Sequence, residues 1–142
     1  STTYPDNPPG EEVAIAMPFT ISITQDQIPD LLRNKTIWIK LDGQGPRTDA
    51  FSSEEKMKHT LRAVHDVIRN LRNKEGYENI KKIHLFIAAQ ASTVFKLGTN
   101  YQANAYPEIR VYHFQGGEGK YTWGVSIKDG SFSILKEVEL TG

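Results

Sequence analysis

Residues 82–101, KIHLFIAAQASTVFKLGTNY, decide the fold, because an apolar run changes there into a helical pattern. The apolar part has few polar interruptions: Ile83, Leu85, Phe86, Ile87, Ala88 and Ala89. A continuous run of this kind is typical of a strand that is covered on both faces of a parallel sheet. The sequence therefore predicts that this strand lies at the centre of the molecule.

A helix is predicted directly after this strand. Ser92 is suited to cap it, and one face then carries residues at i, i+3, i+4 and i+7, namely Val94, Leu97, Gly98 and Tyr101. Glycine inside a helix costs about 1 kcal/mol relative to alanine, so its presence indicates close packing. We expect Gly98 to lie against the sheet.

Alternating or continuous apolar patterns predict further strands on both sides of this segment. Before it they lie at residues 13–17 and 36–41, with alternation also at 19–23. After it they lie at residues 109–114, 121–127 and 132–135. Glycine-rich turns join the last three strands as antiparallel neighbours. The expected fold is α/β, a Rossmann-like sandwich with a mostly parallel central sheet and a C-terminal antiparallel β-hairpin extension.

Two more helices are predicted before the central strand. A capping box at residues 24–27 opens a short helix whose apolar side chains are Ile28, Leu31 and Leu32. A second capping box at residues 52–55 opens a longer helix, which is expected to close at Lys74 and Gly76. Its apolar stripe has helical spacing: Met57, Leu61, Val64, Ile68 and Leu71.

Composition limits the possible functions. The chain has 142 residues, 17 basic and 17 acidic side chains, and no cysteine. Zero net charge argues against a long nucleic acid as partner, and the lack of cysteine favours a cytoplasmic protein without disulfides or thiolate metal sites. Residues 1–12 are rich in proline and are predicted to be a disordered lead-in or linker, and residues 13–142 to be a single domain.

Several motifs of common enzymes are missing. Residues 43–48 resemble the dinucleotide fingerprint but lack its third glycine, and no P-loop, G-x-S-x-G or H-E-x-x-H motif occurs. His59 and His65 are six residues apart on one predicted helix, which places them on different faces. His84, at the start of the central strand, is expected to be structural. We predict no metal, no cofactor and no catalytic residue.

Candidate ligand-binding residues follow from the rule that ligands of open α/β sheets bind outside the carboxyl ends of the strands. The start of the predicted helix would hold an anion through its free N–H groups, and it contains Ala89, Gln90, Ala91, Ser92 and Thr93. Nearby cations and a flexible loop are supplied by Lys96, Arg47 and Gly45, and aromatic contacts by Tyr112, His113 and Phe114. Each also has a structural interpretation: the hydroxyls cap the helix, Lys96 reaches water, and the aromatic residues pack the sheet.

The residues of these segments resemble those of SAVED domains, which are relatives of the CARF sensors. The likeness rests on residues 84–88, Ala91, the Leu97-Gly98 pair, the Val111-Tyr112 pair and Tyr121, and it covers most of residues 13–127. It implies a sensor domain that binds a cyclic di- or oligonucleotide in bacterial antiphage defence and regulates an effector. The chain has room for about one of the two CARF-like halves of a full SAVED domain.

The resemblance also implies partners. A site shared between two halves requires a second chain, so a homo-oligomer is expected, together with an effector or membrane segment N-terminal to Ser1. Two alternatives remain open. One is a ring nuclease or other nucleotide hydrolase with His113 as general acid or base. The other is a structural self-assembly domain that pairs through its hairpin at residues 121–127.

Overall fold

The computed structural model describes residues 2–19, 23–40, 54–88, 108–115, 120–128 and 131–135. In this part of the chain seven strands form one sheet: β1 (Thr2–Thr3), β2 (Glu12–Pro18), β3 (Thr36–Ile39), β4 (Lys82–Ala88), β5 (Glu108–Gln115), β6 (Lys120–Lys128) and β7 (Ser131–Leu135). Their order is β1-β3-β2-β4-β5-β6-β7, so the strand predicted to be central occupies the middle of the sheet.

The centre of the sheet is parallel and its margins are antiparallel. Strands β3, β2, β4 and β5 run in the same direction, whereas β1 pairs antiparallel with β3 and the β6–β7 hairpin extends the other side from β5. The predicted Rossmann-like α/β fold with an antiparallel C-terminal extension is therefore confirmed. The margins contain one strand more than predicted, since β1 lies in the lead-in.

One face of the sheet packs against α1 (Glu54–Arg69). Alternate residues of β2, β4 and β5 point to this face and meet Val64 and Ile68 of the helix; the strand residues are Val13, Ile15, Met17, Ile83, Leu85, Ile87, Ile109 and Val111. The predicted stripe is thus confirmed at Val64 and Ile68, while the side chains of Met57 and Leu61 lie outside the described part. No helix among the described residues is long and apolar enough to cross a membrane.

The end of α1 differs from the prediction. The helix ends at Arg69, and Leu71 lies in a separate 3₁₀ helix, Leu71–Asn73, rather than in the predicted continuous helix, which was expected to close at Lys74 and Gly76. At this end the side-chain amide of Asn70 donates a hydrogen bond of 3.0 Å to the carbonyl of Asp66, which also accepts from the backbone N–H of Asn70 at 3.1 Å. Asparagine bonds the local backbone in this way and so competes with helix propagation. Leu71 is nevertheless buried, as expected.

The other face is covered by two 3₁₀ helices, Gln25–Gln27 and Asp30–Lys35, instead of one α-helix. The predicted capping box is confirmed, since the Thr24 N–H donates to Oε1 of Gln27 at 2.8 Å. Ile28, however, has extended backbone angles because it precedes Pro29. The chain therefore changes direction between the two turns. Leu31, predicted to be apolar core, is 88% exposed.

The prediction of a disordered lead-in is wrong. Thr2 and Thr3 pair with Ile39 and Trp38, which adds β1 to the edge of the sheet. Further along the lead-in, the Tyr4 ring packs edge-on against that of Tyr77 at 6.0 Å, and Pro8 lies over Gly76. The Gly76 φ is +90°, and a Cβ there would stand 2.9 Å from Pro8 Cγ. Proline restricts the unfolded backbone, so fewer contacts suffice to order this segment.

Candidate ligand-binding site

The strand order creates a switch point at the middle of the sheet. From β2 the chain passes to β3 on one side, and from β4 it passes to β5 on the other side, so the switch point lies between β2 and β4. Pro18 and Ala88, the last residues of β2 and β4, are partners in the register. In folds of this type ligands bind in the crevice outside the carboxyl ends at the switch point. The described strands therefore place the candidate site beyond Pro18 and Ala88.

Most predicted ligand residues lie in the segments that follow these strand ends. Ala88 is the last residue of β4, so the predicted anion loop begins directly after it. The loop residues Ala89, Gln90, Ala91, Ser92 and Thr93, as well as Lys96, Gly45 and Arg47, lie outside the described residues. The predicted helix with Gly98 lies outside them too. Their ligand contacts stay predictions.

The backbone of His113 lies at the same end of the sheet. It pairs with Ile87 of β4 on one side and with Trp123 of β6 on the other. The register then shifts, because Phe114 pairs with Tyr121. An irregularity of this kind bends a strand and redirects its side chains, and it is frequent next to functional sites. The strand positions of His113 and Phe114 agree with the expectation, and their contacts with a ligand stay predictions.

Tyr112 lies inside the protein. It is 3% exposed, and its ring stacks on those of Phe86 and His84, with centroid distances of 4.8 and 5.8 Å. The hydroxyl lies 2.9 Å from Nδ1 of His84. The proposed contact of Tyr112 with a ligand base is not tested by this geometry, but the ring and hydroxyl already have partners in the fold.

His84 joins Tyr112 to the lead-in. Its Nε2 lies 3.0 Å from Oε1 of Glu12, the first residue of β2, so both ring nitrogens have a partner. This position near the amino end of β4 agrees with the structural role that the sequence predicted. Sequence reasoning missed Glu12, which it had placed in the disordered lead-in. A surrounding set of charged contacts joins Lys82 to Glu12 and Glu108, and Glu108 to Arg110.

The sequence matches a model of one protein family. The model of the SMODS-associated and fused to various effectors sensor domain, SAVED, matches residues 1–127. The chain belongs to the SAVED family. The match begins at residue 1, so it includes the lead-in that β1 and Glu12 tie to the sheet. No curated protein matches the sequence.

Solved structures with the same fold include two of a SAVED/CARF-domain containing receptor, Cap4 of Acinetobacter baumannii. One, with the cyclic trinucleotide 3′3′3′-cAAA, has a TM-score of 0.58 at 19% identity and covers 98% of this chain and 27% of its own. The other, with 2′3′3′-cAAA, has a TM-score of 0.54 at 22% identity and covers 84% and 25%. The chain thus spans about a quarter of each receptor.

Protonation of the SAVED domain's buried network follows from its surroundings. Burial lowers the pKa of His84, against the opposing hydrogen bond and charge of Glu12. The hydrogen bond from His84 lowers the pKa of Glu12, and burial raises that of Tyr112. Neutral His84 therefore accepts a hydrogen bond from the Tyr112 hydroxyl at Nδ1 and donates its Nε2–H to the Glu12 carboxylate.

We expect the SAVED domain to lose stability as the pH falls below the ordinary histidine pKa of 6.5. The unfolded chain then binds a proton that folded His84 accepts only at lower pH, so protonation favours unfolding. Around and below its ordinary pKa of 4.5, Glu12 acts in the same direction, because its lowered folded pKa gives stability that acid removes. Urea unfolding at a series of pH values from 8 to 5 measures this slope.

Two variants test whether His84 causes the dependence of stability on pH. His84→Gln keeps a donor for Glu12 but does not titrate, so the loss of stability between pH 8 and pH 5 should become smaller. Some loss should remain, because burial also lowers the pKa of His65 on α1. His59→Gln is the matched control, since His59 is exposed on the same helix. An unchanged slope in His84→Gln would contradict the assignment.

Within the described ranges, no three side chains of the usual ligand types come together to hold a metal ion. His59 and His65 both lie on α1, one exposed and the other half-buried. The chemistry that the described residues bring together in this SAVED domain is the buried network of Glu12, His84 and Tyr112. Glu12 and His84 lie toward the amino ends of β2 and β4, and Tyr112 lies in the middle of β5, so the network is set back from the switch-point crevice.

Proposed function

We propose that this SAVED domain binds a cyclic oligonucleotide second messenger and regulates an effector in antiphage defence. The observation that carries the proposal is the match to a sensor-domain family over residues 1–127. The topology supports it, because the switch point at Pro18 and Ala88 is where an α/β sheet of this order binds ligands. The Cap4 receptor, which has the same fold, was solved with two different cyclic trinucleotides.

The ligand's phosphate would bind at the start of the helix predicted after β4. Ala89, Gln90, Ala91, Ser92 and Thr93 follow the last residue of a central parallel strand. Free N–H groups at a helix start favour an anion there. Lys96 and Arg47 would balance its charge, and His113 or Phe114 would contact a base. With 17 basic and 17 acidic residues overall, attraction must come from such local groups.

A second copy of the chain would complete the site. The chain spans about a quarter of the Cap4 receptor, so it corresponds to one part of that receptor. We propose that ligand binding and self-association are therefore coupled, and that the effector is supplied by an attached or associated protein. Sedimentation with and without ligand measures the coupling. A monomer that saturates with ligand at unchanged mass would contradict it.

The experiment that tests the function is a thermal-shift panel of cyclic di-, tri- and tetranucleotides, with the linear form of each as its matched control. A ligand at 100 times its Kd adds about 2.7 kcal/mol of stability, which a melt detects readily. We expect at least one cyclic member to stabilise the protein more than its linear form. Failure of every cyclic member would overturn the proposal. Chromatography of the recovered ligand separates the sensor, which returns it intact, from a ring nuclease.

Ser92→Asp tests the anion site separately from the fold. Aspartate caps a helix as well as serine does, so the unliganded protein should melt at nearly the same temperature. The added negative charge should weaken binding at least tenfold, about 1.4 kcal/mol. Calorimetric titration of both proteins with the ligand that stabilises the parent gives the comparison. Equal affinities would move the anion site away from this helix start, to the loop at residues 43–47.

A further inference from the structure

Trp38 occupies an open position at the ligand end of the sheet. It is the next-to-last residue of β3 and lies on the face that carries the two 3₁₀ helices. Its neighbours in the adjoining strands are Thr3 of β1 and Ala16 of β2, which are both small. The indole therefore has no large side chain beside it on either neighbouring strand.

The exposure of Trp38 contrasts with that of the other aromatic residues in its row. The register aligns Trp38, Ala16, Phe86 and Tyr112 across four strands. Phe86 and Tyr112 are 2% and 3% exposed, whereas Trp38 packs against their cluster and remains only partly buried. The cluster thus fixes one part of the indole and leaves another part accessible to a ligand.

A cation lies beside the accessible indole. Lys40 follows Trp38 by two residues on the same side of the chain, and its Nζ is 5.8 Å from the ring centroid. Lys40 is exposed, and its flexible stem lets the ammonium group change position. Stacking of a base on an aromatic ring is stronger than a cation–π contact at an exposed site. A base can therefore displace the lysine from the ring.

We propose that Trp38 stacks on a base of the bound nucleotide, while Lys40 pairs with an adjacent phosphate. This assigns a base-binding subsite on β3, two strands away from the anion loop after β4, and it rests on the proposed function. Its position follows from the topology, because the carboxyl ends of β3, β2 and β4 lie along one edge of the sheet.

Fluorescence tests the stacking directly. The chain has two tryptophans, so Trp123→Phe leaves Trp38 as the sole indole. Each cyclic di-, tri- and tetranucleotide of the panel is titrated into this variant, with calorimetry of the same samples as an independent measure of binding. We expect the ligands that bind to quench Trp38 at the concentrations where heat is released.

Affinity of substituted proteins gives the second readout. Trp38→Leu retains an apolar side chain against the cluster but cannot stack, and it should weaken binding by at least about tenfold. Trp38→Phe should restore part of the affinity. Lys40→Gln should weaken binding and make it less sensitive to salt. The matched control is Leu31→Ala, which removes an apolar side chain that is 88% exposed on the neighbouring 3₁₀ helix and should leave affinity unchanged.

The results of these experiments distinguish failure of the Trp38 stacking site from failure of the proposed sensor function. Binding by calorimetry with neither quenching of Trp38 nor loss of affinity in Trp38→Leu would overturn the stacking site and leave the sensor intact. Absence of binding by every cyclic nucleotide would overturn both. Because quenching is measured with Trp38 in place, a poorly folded Trp38→Leu protein would not prevent the decision.

Discussion

Leu85→Ala should lower the free energy of unfolding by about 2 to 5 kcal/mol, the range for a leucine truncated in a core. Leu85 is fully buried in β4 and lies between Ile15 of β2 and Val111 of β5 in the register. Rigid parallel neighbours on both sides limit relaxation around the missing methyl groups, so a cavity should remain. The midpoint and slope of urea unfolding measure the loss.

The matched control is Leu31→Ala, which removes the same atoms from a side chain that is 88% exposed. We expect a change within about 0.5 kcal/mol. The comparison of the two variants also tests the fold, because the spacing of apolar residues in the sequence predicts that both leucines are buried. Similar midpoints for the two variants would show that β4 is not the centre of the core.

The pattern of apolar residues predicts the sheet well because burial on both faces forces it. No polar side chain except His84 interrupts residues 83–88, and these residues form the central strand as predicted. The β6–β7 hairpin follows equally from alternation and turn residues, which depend only on neighbours in the sequence. Local rules are sufficient for these elements.

The elements that were mispredicted depend on contacts between distant residues or on competition within a single turn. Glu12 is 72 residues away from His84, and nothing in the proline-rich lead-in indicates that pairing. The turn at Ile28 follows from one proline, and the helix ends beside an asparagine that bonds the local backbone. The spacing of apolar residues does not reveal such effects, since it describes which residues are buried and not where the backbone bends.

The candidate site also has one part that the sequence could indicate and one part that it could not. The sequence could indicate the carboxyl end of the central strand as the candidate ligand end, because an apolar strand pattern followed by the pattern of a capped helix defines it without knowledge of the strand order. The base-binding role of Trp38 could not be predicted from the sequence, because the exposure of Trp38 results from having Thr3 and Ala16 as neighbours in the sheet. The sequence shows only an apolar residue in a strand. Which strands flank it is a property of the fold.

Tyr112→Phe should destabilise the protein by about 1 to 3 kcal/mol, because it leaves a buried acceptor without its donor. The hydroxyl of Tyr112 lies 2.9 Å from His84 Nδ1, and both residues are buried. The ring stacking on Phe86 remains in the variant, so the loss reports the polar contacts of the hydroxyl with His84 and Arg110 rather than packing. Tyr77→Phe is the matched control: Tyr77 is also 3% exposed, but it contacts Tyr4 and Lys74 through its ring.

A double-mutant cycle shows whether the cost arises at His84 itself. His84→Leu removes the acceptor that Tyr112→Phe leaves unpaired, so it should cost less in the Tyr112→Phe protein than in the parent. We expect a coupling of about 0.5 to 3 kcal/mol, as for other residues in direct contact. Urea unfolding of the four proteins at pH 8 keeps His84 neutral during the comparison. Additive losses would mean that the hydroxyl stabilises the fold through a different partner.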